Sequence, residues 1–301
     1  MNSNKHFAAF IMTYQRNITL SNTINILLKQ SHPPQKILII DNDPEQSAKY
    51  VSQKLSHLPI EYFSVGYNSG PAGAAKKGLE ILSKENYDWI AWIDDDDPPI
   101  FDNTFEILLK LANDNEECGC VGSVGQRFNR KNGLIERVSD YELEGLGYLQ
   151  VDTIAGNMCK IVNSKIIKNT FILPDESLFF GFEELDFDLR IQNSGYLLLV
   201  DKELYKKHRV NANRIGIKVK RGTKKPIVDL WRQYYSSRNS LFILKKNNLN
   251  RAIVLNILRT IFNMANGFRF GLNYGKKNLE FNSLALYHFC IGKKGKQQKI
   301  K

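Results

Sequence analysis

Trp89-Ile90-Ala91-Trp92-Ile93-Asp94-Asp95-Asp96-Asp97-Pro98-Pro99 is the stretch that decides the fold. Its first five residues are apolar and rich in aromatic and β-branched types, the composition of a buried strand. Four carboxylates end the run, and two prolines forbid the strand from continuing. Adjacent aspartates repel one another, and none is buried cheaply without a counter-charge. A divalent cation is the usual remedy, because Mg²⁺ and Mn²⁺ prefer carboxylate oxygens together with substrate phosphates. The plainer account is a solvated acidic turn. Position at a strand's carboxyl end, where open α/β sheets bind ligands, favours the cation.

Upstream, Phe7 to Met12 reads as a first strand ending at Thr13-Tyr14-Gln15-Arg16-Asn17. Leu20, Ile24, Leu27 and Leu28 recur at helical spacing within Ile18 to Gln30, and Pro33-Pro34 closes that segment. Lys36 to Ile40 is a second strand, which stops at Asp41-Asn42-Asp43. A weaker helix, Glu45 to Leu55, precedes a third strand from Ile60 to Val65. This βαβαβ alternation is that of a doubly wound, mostly parallel sheet. Between Tyr67 and Leu79, small residues permit close backbone approach, and the helix start offers free N–H groups to an anion. The loop lacks the Gly-Lys-Ser/Thr ending of a phosphate loop, and it follows the third strand, unlike the dinucleotide fingerprint. A helix packed tightly on the sheet explains it equally.

Thr13 to Arg16, Asp41 to Asp43 and Asp94 to Asp97 thus converge on one edge of a parallel sheet. Four pieces in this order resemble the family 2 glycosyltransferases of the GT-A fold, across most of residues 7–100. They are Thr13-Tyr14-x-Arg16-Asn17, the strand ending at Asp41-Asn42, Asn68-x-Gly70-x-Ala72-Gly73-Ala74, and Asp94-x-Asp96-Asp97. The resemblance implies an α/β GT-A catalytic domain over residues 1–225, its central sheet mostly parallel and flanked by helices. It implies a nucleotide-diphospho-sugar donor held by Thr13, Tyr14, Arg16, Asp41, Asn42, Asn68, Gly70, Gly73, Asp94 and Asp95. Mg²⁺ or Mn²⁺ is implied on Asp94 and Asp96, with Asp95 and Asp97 left between metal, ribose or sugar contact and strand-end solvation.

Further along come a helix from Phe101 to Asn113, a strand from Gly119 to Val124, and a Gly- and charge-rich stretch to Gly147. Val151 to Met158 resembles the family strand that supports the acceptor side. In Phe179-Phe180-Gly181-Phe182-Glu183-Glu184-Leu185-Asp186-Phe187-Asp188-Leu189-Arg190, Asp186, Leu189 and Arg190 share helical spacing. Acids in a first helical turn are favoured by the helix dipole, which accounts for Glu183 and Asp188 without further function. The resemblance makes Glu183-Glu184-x-Asp186-Phe187 the ED-type motif and implies Glu184 as general base. Asp186 is the second candidate, as base or as the group orienting the acceptor hydroxyl. After a strand from Gly195 to Val200, His208 resembles the family histidine that completes the metal site. His6, His32, His57 and His288 lack such context. Arg209, Arg214 and Lys218 to Arg221 read equally as a basic loop closing over a diphosphate or as a solvated one.

From Ile227 the pattern is helical throughout. Trp231-Arg232-Gln233-Tyr234-Tyr235-Ser236-Ser237-Arg238-Asn239 resembles the Tyr-Tyr-x-x-Arg-Asn signature of bacterial rhamnosyl- and galactofuranosyl-type members, and implies support of the site floor or the acceptor. Ala252 to Ala265 is either a helix packed on the catalytic domain or, with the basic tail Lys293 to Lys301, a surface for an anionic membrane. Residues 226–301 are therefore expected to form a basic helical region. The net charge of +11 is concentrated after about residue 200, and no nucleic-acid motif accompanies it, so a membrane face is preferred to nucleic acid. Cys118, Cys120, Cys159 and Cys290 make no CxxC pair, no apolar run reaches bilayer length, and Met1 to His6 shows no signal peptide. A cytoplasmic location at the inner membrane face is the expectation.

The implied reaction is inverting transfer from a UDP- or dTDP-sugar to a hydroxyl of a growing, lipid-linked or cell-surface glycan. A sugar nucleotidyltransferase is the rival enzyme, but it needs a Gly-rich, Arg-containing loop after the first strand, and Thr13 to Asn17 has no glycine. An Asp-x-Asp phosphatase would place its acids after the first strand. An inactive binding module has no reason to keep acids at all three positions.

Overall fold

The structure is a computed structural model, and it describes residues 6–217, 224–298 and 300. The basic stretch Lys218 to Arg221 lies outside the described residues, as do Lys299 and Lys301 of the basic tail. The chain opens with β1 (Phe7–Thr13), α1 (Asn17–Leu28), β2 (Ile37–Asp41), α2 (Lys49–Lys54), β3 (Ile60–Ser64), α3 (Gly70–Ser83) and β4 (Trp89–Asp94). Next come α4 (Thr104–Asn113), β5 (Cys118–Gly122), the hairpin β6 (Gln126–Asn129) and β7 (Leu134–Arg137), β8 (Tyr148–Gln150) and β9 (Lys160–Asn163). After α5 (Ser164–Thr170) and α6 (Glu183–Asn193), β10 (Leu197–Asp201) leads into α7 (Lys202–Asn211). Three long helices follow: α8 (Leu230–Lys246), α9 (Asn250–Asn266) and α10 (Leu272–Cys290).

Eight strands form one sheet in the order β3-β2-β1-β4-β9-β5-β10-β8. β1, β2, β3 and β4 pair in parallel, as do β5 and β10, whereas β9 and β8 run antiparallel to their neighbours. The strand expected at Val151 to Met158 is corrected to a loop with a short 3-10 turn, Gly156–Met158. The Ile154 N–H donates to Asp188 (2.8 Å) instead of to a neighbouring strand. Gly156 also sits so close to Trp92 that a Cβ there would lie 2.6 Å from the indole nitrogen.

Alternation along β1 builds two cores. Ala8, Phe10 and Met12 pack with Ala74, Ala75 and Leu79 of α3, while Phe7, Ala9 and Ile11 meet Leu20, Ile24 and Leu27 of α1. Each such large apolar side chain contributes about 1.5–3 kcal/mol on burial. The small residues of α3 serve this packing directly, since a Cβ at Gly78 would lie 2.4 Å from the Phe10 ring. Cys118 and Cys120 point to opposite cores and act as small apolar residues.

α8 packs against α9 and α10, burying Tyr234 and Tyr235 with Tyr274, Phe281 and Ala285. Ile243 and Leu244 of α8 meet Leu178, Leu185 and Leu189, so the helical region rests on the segment that carries α6. Among the described residues, no helix is long and apolar enough to cross a membrane.

Candidate active site

Register brings the predicted acids together. Thr13 pairs with Asp41, and Met12 with Asp94, so the carboxyl ends of β2, β1 and β4 form one edge. Strand order reverses there, between β1 and β4, where doubly wound sheets open a crevice. A cleft of about 870 Å³ occupies that position. Thr13, Tyr14, Arg16, Asn42, Asn68 and Gly70 line it, with Asp94, Asp95 and Asp96. The rest of the lining is supplied by Phe179, Phe180, Trp231, Arg232, Lys296, Gln297, Gln298 and Ile300.

The acidic run is divided by its partners. Asp95 is buried, accepting from the Thr13 hydroxyl (2.7 Å) and from Arg16 (3.2 Å), while its backbone carbonyl accepts from Thr23 (2.7 Å). Arg16 also pairs with the exposed Asp96. Among the described residues, no Lys or Arg pairs with Asp94. Burial first, then Glu184, Asp96, Asp95 and Asp97, push its carboxyl up to about 8.

Asp41 is in the right place but is turned inward. Its carboxylate accepts from the Asp43 and Ala48 backbone N–H groups (2.8 and 3.0 Å) and from the Tyr62 hydroxyl (3.0 Å). Burial and this carboxylate raise the Tyr62 hydroxyl to about 12. Asp41 thus organises the loop into α2 and is absent from the cleft lining. Asn42 accepts from Ser69 (2.6 Å) and donates to the Gly70 carbonyl (3.1 Å), and Asn68 accepts from the Gly70 N–H (3.0 Å). Gly70 has φ +69°, and a Cβ there would lie 2.1 Å from the Phe179 carbonyl oxygen. Gly73 likewise makes room for Ser69 and does not reach the cleft.

α6 starts on Phe182 in the left-handed region, φ +67°, which turns the acidic first turn toward β4. Glu184 accepts from the Gly156 N–H at 3.4 Å and acts electrostatically on Asp94. Glu183 is buried with one carboxylate oxygen unpartnered; burial, Glu184 and Asp94 hold its carboxyl well above the usual range. Asp186 is buried in ion pairs. Arg190 (2.8 Å) and Lys246 (2.8 and 3.1 Å) both engage its buried carboxylate, which makes it the brace between α6 and α8.

His208 lies in α7 with its ring edge-on to Phe101 (centroids 5.2 Å); burial lowers its pKa, and its Nε2 is buried without a hydrogen-bond partner among the described residues. Among the described residues, no group of three His, Cys, Asp or Glu gathers as a metal-ligand set. Arg209, read as part of a closing loop, is buried and fixed by Asp140 and the Val138 carbonyl.

The Tyr-Tyr-x-x-Arg-Asn signature has a structural task. Asn239 donates to the carbonyls of Leu178, Phe180 and Gly181 (2.9, 3.0 and 3.0 Å), and Arg238 donates to Leu178 and Gly295 (3.2 and 2.8 Å). These two buried side chains hold the segment entering α6 and the tail beside the cleft. Sequence reasoning missed Lys160, which pairs with Asp188 in full burial and donates to the Ile154 carbonyl (3.1 Å). A lysine opening a short apolar strand was the available signal.

Residues 8–169 match the model of glycosyl transferase family 2, and the chain belongs to that family. It is accordingly a glycosyltransferase, a class that takes a nucleotide-sugar donor and a glycan acceptor. Among curated relatives, the dTDP-rhamnosyl transferase RfbF of Shigella flexneri is 25% identical over 275 residues, covering 88% of this chain and 87% of its own. The galactofuranosyltransferase GlfT1 of Mycolicibacterium smegmatis is 21% identical over 198 residues, covering 62% and 65%. Among solved structures, mannosyltransferase PcManGT from Pyrobaculum calidifontis, in complex with GDP-Man and Mn²⁺, superposes with TM-score 0.52 at 11% identity, covering 96% and 88%. S. aureus TarS in complex with UDP gives TM-score 0.50 at 15% identity, covering 95% and 92%. The likeness is one of fold, and that fold is GT-A.

Proposed function

We propose that this chain is a metal-dependent inverting glycosyltransferase that moves a sugar from a UDP- or dTDP-linked donor to a hydroxyl of a cell-surface glycan. The observation that carries the reading is the gathering of Asp94, Asp95 and Asp96 on the cleft at the mouth of β4, with Glu184 near enough to act electrostatically on Asp94. Burial, and after it the crowding of Glu184, Asp96, Asp95 and Asp97, holds Asp94 at about 8; such a site fits a divalent cation, which needs only one or two protein carboxylates when substrate phosphates supply the rest. Asp94 and Asp96 would hold Mg²⁺ or Mn²⁺, whose charge offsets that developing on the departing diphosphate. The naming of the two curated relatives, and the Mn²⁺ in the mannosyltransferase complex, support the donor class and the metal.

The chain's own residues then divide the work. Thr13 and Arg16 fix Asp95. The Gly156 N–H orients one oxygen of Glu184, leaving the carboxylate to take the acceptor hydroxyl proton. Asp186, braced by Arg190 and Lys246, holds α6 against α8. Attack from the Glu184 side and departure from the side of the acidic run give inversion in one displacement. Residues 1–225 would supply this machinery, and residues 226–301 the helical support.

Asp96→Ala is expected to lower transfer by a factor of about 10³, because a metal contributes several kcal/mol of charge stabilisation. Asp96 is exposed, so the melting temperature should not move. The measurement is product formation across a panel of UDP- and dTDP-sugars, with and without Mn²⁺. Near-normal turnover in the variant removes the metal assignment.

A seat on an anionic membrane face at the cytoplasmic side belongs to the same proposal. α9 turns Val254, Leu258, Ile261 and Phe262 to solvent, and Leu272, Arg269 and Lys276 are exposed in the segment that follows. Leu258→Glu with Phe262→Glu should weaken co-sedimentation with phosphatidylglycerol vesicles by a factor of about ten or more. Unchanged vesicle binding would rule this surface out.

A further inference from the structure

We infer that Lys296, Gln297, Gln298 and Ile300 form a second wall of the donor cleft and that Lys296 binds the donor's diphosphate. The inference rests on the donor reading above and names a residue for it. Lys296, Gln297, Gln298 and Ile300 line the same cleft as Asp94, Asp95 and Asp96, some two hundred residues away in sequence.

The segment is built into the fold. The Gly295 N–H donates to the Ser177 carbonyl (2.6 Å), and the Gly295 carbonyl accepts from Arg238 (2.8 Å). The Gln297 N–H donates to the Tyr235 hydroxyl (3.0 Å), and Ile300 is buried in the aromatic cluster with Tyr234 and Tyr235. Both residues flanking Lys296 are therefore anchored by the signature of α8. Its own side chain is exposed, with the ammonium 5.5 Å from the Phe179 ring centroid.

Charge accounting singles it out. The acidic wall repels a diphosphate unless cations face it. Arg16 is committed to Asp95 and Asp96, and Arg232 lies 3.6 Å from Asp229. Among the described residues, Lys296 pairs with no carboxylate, so its charge is free for a ligand. An ammonium on a flexible stem suits a phosphate as a point charge.

The test is calorimetric titration of the full chain with UDP, dTDP and UMP in Mn²⁺, for wild type, Lys296→Ala and Lys296→Arg. Lys296→Ala should weaken UDP or dTDP by a factor of about ten, UMP by much less, and Lys296→Arg should restore most of the loss. The acceptor KM and the melting temperature should stay unchanged. A merely structural wall would not discriminate diphosphate from monophosphate. Diphosphate affinity in Lys296→Ala equal to or tighter than wild type overturns the inference, the tighter case marking the tail as a plug of the cleft. Failure of wild type to bind either diphosphate overturns the donor reading and this inference with it.

Discussion

Glu184→Gln is expected to lower kcat by a factor of about 10³, the range for losing a general base, with donor affinity held within about twofold. The amide keeps the shape and the contact to the Gly156 N–H but accepts no proton. Asp186→Asn is the companion variant. Its loss should fall on stability, since it releases Arg190 and Lys246 from a buried carboxylate. Single-turnover transfer and equilibrium nucleotide binding separate the two effects. A fully active Glu184→Gln would move the base elsewhere on α6.

The same variant has a second readout. Asp94 is pushed up to about 8 by burial and then by Glu184. The metal-free native state therefore holds a proton that the unfolded chain has lost, between the ordinary carboxylate value and about pH 8. Stability contributed by that proton is present at low pH and declines as pH rises through the window. Glu184→Gln removes the largest charge acting on Asp94, so this decline should shift to lower pH. Melting temperature against pH in the presence of a chelator reads it.

Lys160→Met should destabilise the protein by about 3–5 kcal/mol, because it strands a buried carboxylate. Lys160 and Asp188 are both fully buried, and the ammonium also lies over the rings of Trp92 and Phe187 at 5.2 and 5.0 Å. Burial already pushes the Asp188 carboxyl up, and Lys160 opposes that. Asp188 additionally accepts from the Thr153 hydroxyl and the Ile154 N–H. Lys160→Met with Asp188→Leu should then recover only part of the loss, since those two donors stay unmatched at about 1–3 kcal/mol each. Urea unfolding midpoints report both. A single variant within about 1 kcal/mol of wild type would show that water or relaxation reaches the pair.

Local pattern was enough for the first half of the molecule. β1, β2 and β4 are apolar runs ending in polar residues, and parallel register alone aligns those ends, so Thr13, Asp94, Asp95 and Asp96 were legible as one edge. Glu184 was singled out by the resemblance of Glu183-Glu184-x-Asp186-Phe187 to the ED-type motif, and it falls in the first turn of α6. Side-chain direction was not. Asp41 and Asp186 sit where expected but spend their carboxylates on the Asp43 and Ala48 amides and on Arg190 and Lys246, partners that no local pattern names. His208 fell on a helix whose buried face is set by Leu204, Tyr205 and Arg209, which sends its ring to Phe101. The strand read at Val151 to Met158 is a loop, because Asp188 withdraws the Ile154 N–H from any ladder. Lys296 was hidden by distance along the chain, among basic residues whose simplest use was at a membrane.

Ile300 is 7% exposed among aromatic side chains at the cleft's edge. Whatever is joined beyond it, whether an affinity handle or a natural extension, begins its path at the mouth through which a nucleotide would pass. Fusions at that end load the anchors at Gly295 and Gln297, whereas fusions before β1 start near the Phe7–Trp89 pairing, at the opposite end of the strands. Placement of a handle thus becomes a choice about substrate traffic as much as about purification.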